Sequence, residues 1–150
     1  MNNEKRTAVF PGSFDPMTTG HLALLKRVVP LFDEVIIAIG LNSEKKSFMA
    51  PAERVDRIKR AVAAFDNVRV ELYNCLTTEF CRQVGAKYIV RGVRDNSDFE
   101  YERKIADINR LIAPDIETVI LFADAMHATV SSSMVRELAA FGMDVSQWMA

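Results

Sequence analysis

Short runs of β-branched and aliphatic residues alternate along this chain with stretches whose apolar residues recur at helical spacing, and this alternation limits the possible folds most. The runs predict five strands, at residues 7–10, 35–40, 68–72, 88–90 and 118–122. Strands that alternate with helices are typical of βαβ units. We therefore expect an α/β fold, a doubly wound (Rossmann-like) parallel five-stranded sheet with helices on both faces, and a ligand at the carboxyl ends of the strands.

Three of the intervening stretches predict helices, at residues 21–32, 52–65 and 97–112. Pro30 either ends or kinks the first of these helices, and the sequence leaves both alternatives open. The residues expected to face the core are Val55, Ile58, Val62 and Phe65 on the second helix, and Ile105, Ile108 and Ile112 on the third, where Phe99 and Tyr101 are also expected to pack.

Composition excludes several classes of protein. The chain of 150 residues suits one domain, residues 1–150, and its 49% hydrophobic content and net charge of -1 are those of an ordinary globular protein without a nucleic-acid-coating surface. Its apolar runs are too short to cross a bilayer and its N-terminus lacks a signal-peptide core, so we expect a cytoplasmic protein with no nucleic-acid or membrane partner. Cys75 and Cys81 form no CxxC pair and do not predict a zinc site.

The turn after the first predicted strand carries the strongest functional signal. Residues 11–21 read PGSFDPMTTGH, a Gly- and Pro-rich connection that can aim backbone N–H groups at an anion. It matches neither GxGxxG nor GxxxxGK[ST], so dinucleotide and P-loop binding are not supported. His21 falls on the first helical turn, where the helix dipole favours a neutral imidazole that donates through one ring nitrogen. The alternative is that the turn is only a tight connection and His21 a satisfied helix-start residue.

Several motifs together resemble a known family. The GSFDP turn and the Thr-Thr-Gly-His that follows it are similar to the signature of the nucleotidylyltransferase superfamily. RGVR at 91–94, DFEYE at 98–102 and the serines at 131–133 look like elements of the bacterial phosphopantetheine adenylyltransferases, as do Lys45-Lys46 and Asn109-Arg110. The resemblance covers nearly the whole chain in the right order.

This resemblance implies adenylyl transfer from ATP to 4'-phosphopantetheine, which gives dephospho-coenzyme A and pyrophosphate in the penultimate step of coenzyme A biosynthesis. It assigns catalysis to His21, Lys45 and Arg94. The implied acceptor-binding residues are Ser13, Lys45, Leu76, Thr77, Arg91 and Asn109. The implied ATP-binding residues are Ser13, Phe14, His21, Gly92, Val93, Arg94, Glu102, His127, Ala128, Thr129, Val130, Ser131, Ser132 and Ser133.

The resemblance also implies partners. We expect Mg²⁺ to arrive with ATP rather than in a dedicated protein site, a homohexamer, and coenzyme A as a candidate feedback ligand. Three positions depart from the family pattern. Ser13 stands where most relatives have threonine, Cys75 stands where an acidic residue is frequent, and His127 lies in the segment where an aromatic residue is frequent. We expect His127 to substitute for that aromatic residue by stacking.

The chemistry of the residues agrees with this expectation. A phosphomonoester is largely ionised at neutral pH, so its attack on the α-phosphate of ATP needs alignment and charge relief rather than a general base. Cations and hydroxyl or amide donors are the side chains that such a site requires. Two alternatives remain, another nucleotidylyltransferase with a nicotinamide mononucleotide or glycerol 3-phosphate acceptor, and a nucleotide sensor without turnover.

Overall fold

A computed structural model describes residues 3–42 and 46–150. Its centre is a five-stranded sheet in the order β3-β2-β1-β4-β5, in which every neighbouring pair is parallel. The strands are β1 (Thr7–Gly12), β2 (Glu34–Gly40), β3 (Val68–Tyr73), β4 (Tyr88–Val93) and β5 (Glu117–Phe122). The predicted α/β class and all five predicted strands are confirmed, and each observed strand begins or ends within three residues of its prediction.

In the described part of the chain, five α-helices connect and flank these strands. They are α1 (Thr19–Val28), α2 (Pro51–Ala61), α3 (Thr77–Val84), α4 (Asn96–Ile112) and α5 (Ser132–Ala140), with short 3-10 turns at Val29–Leu31, Ala125–His127 and Ser146–Trp148. Pro30 ends α1 rather than kinking it, because the α-helix stops at Val28 and Pro30 enters the 3-10 turn that follows. Gly85 ends α3 in the left-handed conformation at φ 73°.

The sheet buries both of its faces, because successive residues of a strand point to opposite sides. Ala8 and Phe10 of β1 face the cluster that contains Leu25 of α1 and Ile58 of α2. Val9, between them, faces the cluster formed by Phe80 and Cys81 of α3 and by the segment after α4. Of the four apolar residues predicted on one face of α2 and its extension, Ile58 and Val62 are buried, and Val55 and Phe65 pack against them.

The prediction for α4 was partly wrong. Ile108 and Ile112, expected in the core, are 57% and 48% exposed, and Phe99 and Tyr101 are 43% and 62% exposed. Ile105 is half-buried. Helical spacing identifies an apolar stripe but not what covers it, and nothing in residues 3–42 and 46–150 buries these four side chains.

The strand order places a crevice between β1 and β4. The chain proceeds from β1 to β2 and β3 on one side of the sheet and then returns to β4 and β5 on the other. Ligands of such sheets bind outside the carboxyl ends of the strands at this reversal. The two segments singled out in the sequence, 11–21 and 91–94, lie at these ends of β1 and β4. No helix in the described part of the chain is long and apolar enough to span a membrane.

Candidate active site

Two cavities open at the carboxyl end of the sheet and share one wall. The first has a volume of about 300 Å³ and lies over α1, β4 and the start of α5. The second has a volume of about 560 Å³ and lies over β2, β3 and α4. The residues common to both walls are Pro11, Gly12, Ser13, Arg91 and Glu102. A molecule in one cavity would therefore meet a molecule in the other at the end of β1.

The shared wall depends on an unusual backbone turn. Phe14 has a φ of 46°, a left-handed backbone conformation that residues other than glycine rarely adopt, and its ring is buried. The ring packs edge-on against His21, with centroids 5.1 Å apart. A Cβ on Gly12 would come within 3.1 Å of the same ring. Glycine at this position therefore lets Phe14 fold back beneath the turn and support His21.

The turn is also held from outside through its carbonyl oxygens. The Arg91 side chain donates to the carbonyl of Pro11 and the Arg54 side chain to that of Ser13 at 2.8 Å. The Arg136 side chain donates to the carbonyl of Asp15 at 2.8 Å, and the Ser132 hydroxyl to that of Pro16 at 2.7 Å. The Asp15 carboxylate in turn accepts the backbone N–H groups of Phe48 and Met49 at 2.8 and 2.7 Å. The backbone around Ser13 is thus fixed by α2, β4 and α5 together, which gives the turn the rigidity that a ligand-positioning element needs.

His21 is oriented by the N-terminus of α1. Its Nδ1 accepts the backbone N–H of Thr18 at 2.9 Å, and the Thr18 hydroxyl accepts the backbone N–H of His21 at 3.3 Å, which completes a capping box. Since Nδ1 is an acceptor, the hydrogen-bond pattern assigns the proton to Nε2. Burial, and then the charges of Arg91 and Arg94, lower the pKa of His21 to about 4. At neutral pH the ring is therefore a neutral donor on the wall of the first cavity.

Arg91, which is partly exposed, and the buried Glu102 form an ion pair at the boundary of the two cavities. The Glu102 carboxylate accepts from Nε of Arg91 at 2.9 Å and from Nη2 at 2.6 Å, while Nη1 donates to the Pro11 carbonyl. Glu102 is 3% exposed. The guanidinium is held in a fixed plane, and two of its five N–H groups are not used by these bonds. Burial lowers the pKa of Arg91, but its bonds and charge contact with Glu102 outweigh this and raise the pKa.

The first cavity contains further groups suited to phosphate. Arg94 donates from Nε to the Asp98 carboxylate at 3.3 Å. At the opposite wall, Ser131 caps α5 by accepting the backbone N–H of Met134 at 3.1 Å, so Ser132 and Ser133 occupy the first turn of that helix. Helix N-termini favour anions because their first N–H groups lack helical partners. The cavity therefore presents three cations, Arg91, Arg94 and Arg136, together with a neutral histidine and a helix N-terminus.

The second cavity is lined by less charged groups. The Tyr73 hydroxyl and the Thr77 hydroxyl are hydrogen-bonded at 2.9 Å, and Asn109 and Cys75 lie on the same wall. Tyr101, Ile105 and Ala106 add an apolar side from α4. This mixture suits an acceptor with both amide and aliphatic parts.

The structure brings most of the predicted site residues together. The first cavity is lined by Ser13, Phe14, His21, Gly92, Arg94, Glu102, His127, Val130, Ser131, Ser132 and Ser133, and the second by Ser13, Thr77, Arg91 and Asn109. Val93 is buried and lies outside both linings, as do Ala128, Thr129 and the 64% exposed Leu76. Lys45 lies outside the described residues, so its predicted role stays a prediction.

Several lining residues were missed in the sequence. Arg136 and Asp98 line the first cavity, and Asn42, Tyr73 and Tyr101 line the second. Asp98 and Tyr101 belong to the DFEYE motif and could have been included on that signal. Arg136 reaches the turn across 121 residues of sequence, and nothing in its local sequence indicates that contact.

The described residues do not gather a protein metal centre. No group of three or more His, Cys, Asp and Glu side chains among residues 3–42 and 46–150 is arranged to hold an ion. The carboxylates at the cavities are already committed, Glu102 to Arg91 and Asp98 to Arg94. These residues do not fit a resident metal ion, whereas a cation that enters on the phosphates of a nucleotide needs no such cluster.

Comparison with known proteins agrees with the site. The cytidylyltransferase-like family model matches residues 9–138. A phosphopantetheine adenylyltransferase from Phocaeicola vulgatus is 46% identical over 144 residues, 96% of this chain and 95% of the relative. The enzyme of that name from Levilactobacillus brevis is 46% identical over 140 residues, 93% of this chain and 87% of the relative.

Solved structures show the same fold at much lower identity. A bifunctional NMN adenylyltransferase/ADP ribose pyrophosphatase from Francisella tularensis, complexed with AMP and a manganese ion, aligns with a TM-score of 0.70 at 17% identity. The alignment covers 97% of this chain, which spans 44% of that larger protein. At this identity the likeness extends to the fold alone.

Proposed function

Since the chain belongs to the cytidylyltransferase-like family and, within it, to the phosphopantetheine adenylyltransferases, we propose that it transfers the adenylyl group of ATP to 4'-phosphopantetheine. The products are dephospho-coenzyme A and pyrophosphate, the penultimate step of coenzyme A biosynthesis. The observation that carries this proposal is the pair of cavities that share Ser13 and Arg91, because a two-substrate transfer needs donor and acceptor phosphates side by side. We treat residues 1–150 as one catalytic domain.

We assign the first cavity to ATP. Arg94 and the N-terminus of α5 at Ser131, Ser132 and Ser133 would receive the β- and γ-phosphates, which leave together as pyrophosphate. Gly92 also lines this cavity, and its lack of a Cβ lets Leu24 of α1 pack against β4, since a Cβ there would collide with a methyl group of Leu24. His127 would lie along the nucleoside, in the role of the aromatic residue expected there.

We assign the second cavity to 4'-phosphopantetheine. Its phosphate would lie at the shared wall, against the free N–H groups of Arg91 and the Ser13 hydroxyl, and Lys45 would add a second cation. The pantetheine arm would follow Tyr73, Thr77 and Asn109 over the apolar side of α4. Arg91 is well suited to this position because Glu102 fixes its plane and leaves two donors for the phosphate.

The reaction is a direct displacement. An oxygen of the acceptor phosphate bonds to the α-phosphorus of ATP, the bond from that phosphorus to the bridging oxygen breaks, and pyrophosphate leaves with the electron pair. His21 donates a hydrogen bond from Nε2–H to the α-phosphate oxygen as charge develops there, in the neutral form that its lowered pKa favours at neutral pH. No residue has to remove a proton, because the acceptor phosphate is already ionised.

Nucleotidyltransferases generally use a divalent cation, and for this chain we propose Mg²⁺ bound to the nucleotide as part of the substrate. The cation would offset phosphate charge. We also propose a cytoplasmic homohexamer, with coenzyme A as a feedback ligand of the second cavity. The exposed apolar side chains Ile108, Leu111 and Ile112 on α4 support self-association.

Pyrophosphate release tests the proposed function. Purified protein is incubated with MgATP and, in separate reactions, 4'-phosphopantetheine, nicotinamide mononucleotide or glycerol 3-phosphate. We expect release with 4'-phosphopantetheine alone, together with dephospho-coenzyme A identified by mass. Release only with another acceptor would refute the assignment of the second cavity, and no release with any acceptor would favour a nucleotide sensor.

A further inference from the structure

Arg54 on α2 is a buried cation that forms no ion pair with the residues that the structure describes. The residue is 4% exposed; its Nη1 donates to the Ser13 carbonyl at 2.8 Å and its Nη2 to the Ser47 hydroxyl at 3.4 Å. Its buried Nε has no hydrogen-bond partner. Within residues 3–42 and 46–150, the ion pairs join other side chains and none includes Arg54. The guanidinium therefore lies behind the turn between the two cavities without an ion-pair partner in the described part of the chain.

An unopposed buried charge is costly, and buried cations in proteins are usually paired. The carboxylate of the same turn, Asp15, does not pair with Arg54, since its two oxygens accept the N–H groups of Phe48 and Met49. By contrast, Arg91 at the front of the turn has Glu102 as its partner. The back of the turn thus carries a cation that forms no ion pair with a described residue, at the place where two polyanions are proposed to meet.

We propose that Arg54 is a positioning residue of the active site, which orients Ser13 through its carbonyl and whose charge favours phosphate groups in the cavities. This inference rests on the proposed function. Ser13 is the link, because its carbonyl faces Arg54 while the residue lines both cavities. Arg54 itself lines neither cavity, so its effect reaches the substrates through Ser13 and through the field of its charge.

The size of the electrostatic effect follows from the separation. At an effective dielectric constant of about 20, a unit charge roughly 7 to 10 Å from a phosphate changes the affinity for that phosphate by about 15- to 50-fold. Screening by solvent in the open cavities reduces this effect to about tenfold. Loss of the charge should therefore weaken binding of polyphosphates by at least that factor.

Three substitutions on the same helix separate charge from structure. Arg54→Met removes the charge, Arg54→Lys keeps it without the planar fork, and Arg60→Met removes an exposed arginine of α2 as the matched control. Binding of inorganic pyrophosphate and of ATP is measured by calorimetry on the full chain, and kcat by pyrophosphate release. The unfolding midpoint of each ligand-free variant is measured in parallel.

We expect Arg54→Met to weaken pyrophosphate binding about tenfold or more, with Arg60→Met unchanged. Arg54→Lys should bind within about threefold of wild type yet lose about tenfold in kcat, because a lysine keeps the charge but does not hold the Ser13 carbonyl in the same way. Folded Arg54→Met with unchanged pyrophosphate affinity would overturn the inference. If Arg54→Met does not fold, a tenfold weaker affinity in Arg54→Lys would overturn it. Failure of wild type to bind ATP or pyrophosphate would instead refute the proposed function.

Discussion

Replacement of His21 is the most informative perturbation of the proposed mechanism. Its Nδ1 is committed to the Thr18 N–H, so the ring offers the substrate a single donor, Nε2–H. Removal of one such donor from a preorganised, partly enclosed site costs about 100- to 1000-fold in kcat. We therefore expect His21→Ala to lower kcat by two to three orders of magnitude. The affinity for ATP should change little, since Arg94 and the α5 N-terminus are untouched.

The assay separates rate from binding and from stability. Single-turnover rates with saturating substrates are compared with the dissociation constant of ATP for wild type, His21→Ala and His21→Gln. A glutamine places an amide nitrogen near the position of Nε2, so His21→Gln should regain part of the lost rate. The Ala variant also loses a cap of α1 and should be less stable by about 1 kcal/mol, which a denaturant titration would reveal. Unchanged kcat in folded His21→Ala, or a loss explained wholly by weaker ATP binding, would refute the reasoning.

Three further predictions concern stability and the acceptor. The pKa of His21 is about 4 in the folded protein and 6.5 ordinarily. As pH falls from about 6.5 to 4, His21 therefore gains a proton in the unfolded chain first, which should lower the free energy of unfolding by about 1 to 3 kcal/mol. In urea titrations, His21→Gln should flatten this dependence on pH. Glu102→Gln leaves Arg91 without its charge partner and should cost roughly 2 kcal/mol of unfolding free energy, and unchanged stability would contradict the pairing. Lys45→Ala should raise the KM for 4'-phosphopantetheine and lower kcat, and an effect confined to ATP would contradict its placement.

Most of the fold could be predicted from local sequence because the signals for strands and helices are encoded within a few residues. The β-branched runs at β2 and β5 and the spacing of Ile58 and Val62 on α2 were sufficient to predict the parallel sheet and one helix that covers it. The same local pattern failed at Ile108 and Ile112, because an apolar stripe is identical in sequence whether or not the chain itself covers it. The short helix α3 was not predicted.

The site residues likewise divide into those that local sequence predicted and those that it missed. His21 and the serines at 131–133 were found because each follows a predicted strand or begins a helix within a recognisable motif. Arg54 and Arg136 were missed because their partners in the turn are distant in sequence. Arg54 contacts the turn across 41 residues and Arg136 across 121, and such contacts exist only in the folded chain. The exposed Leu76 shows the converse, since a motif position alone did not place that residue on the wall of the second cavity.

The central claim is that donor and acceptor phosphates meet across the Ser13 turn and react directly. The stereochemical course at the α-phosphorus tests this claim, with ATP that carries sulfur at one non-bridging α-oxygen as donor and 4'-phosphopantetheine as acceptor. A single in-line displacement predicts inversion of configuration in the thiophosphate product. Retention would require two displacements through a covalent intermediate on the protein, and it would contradict the account.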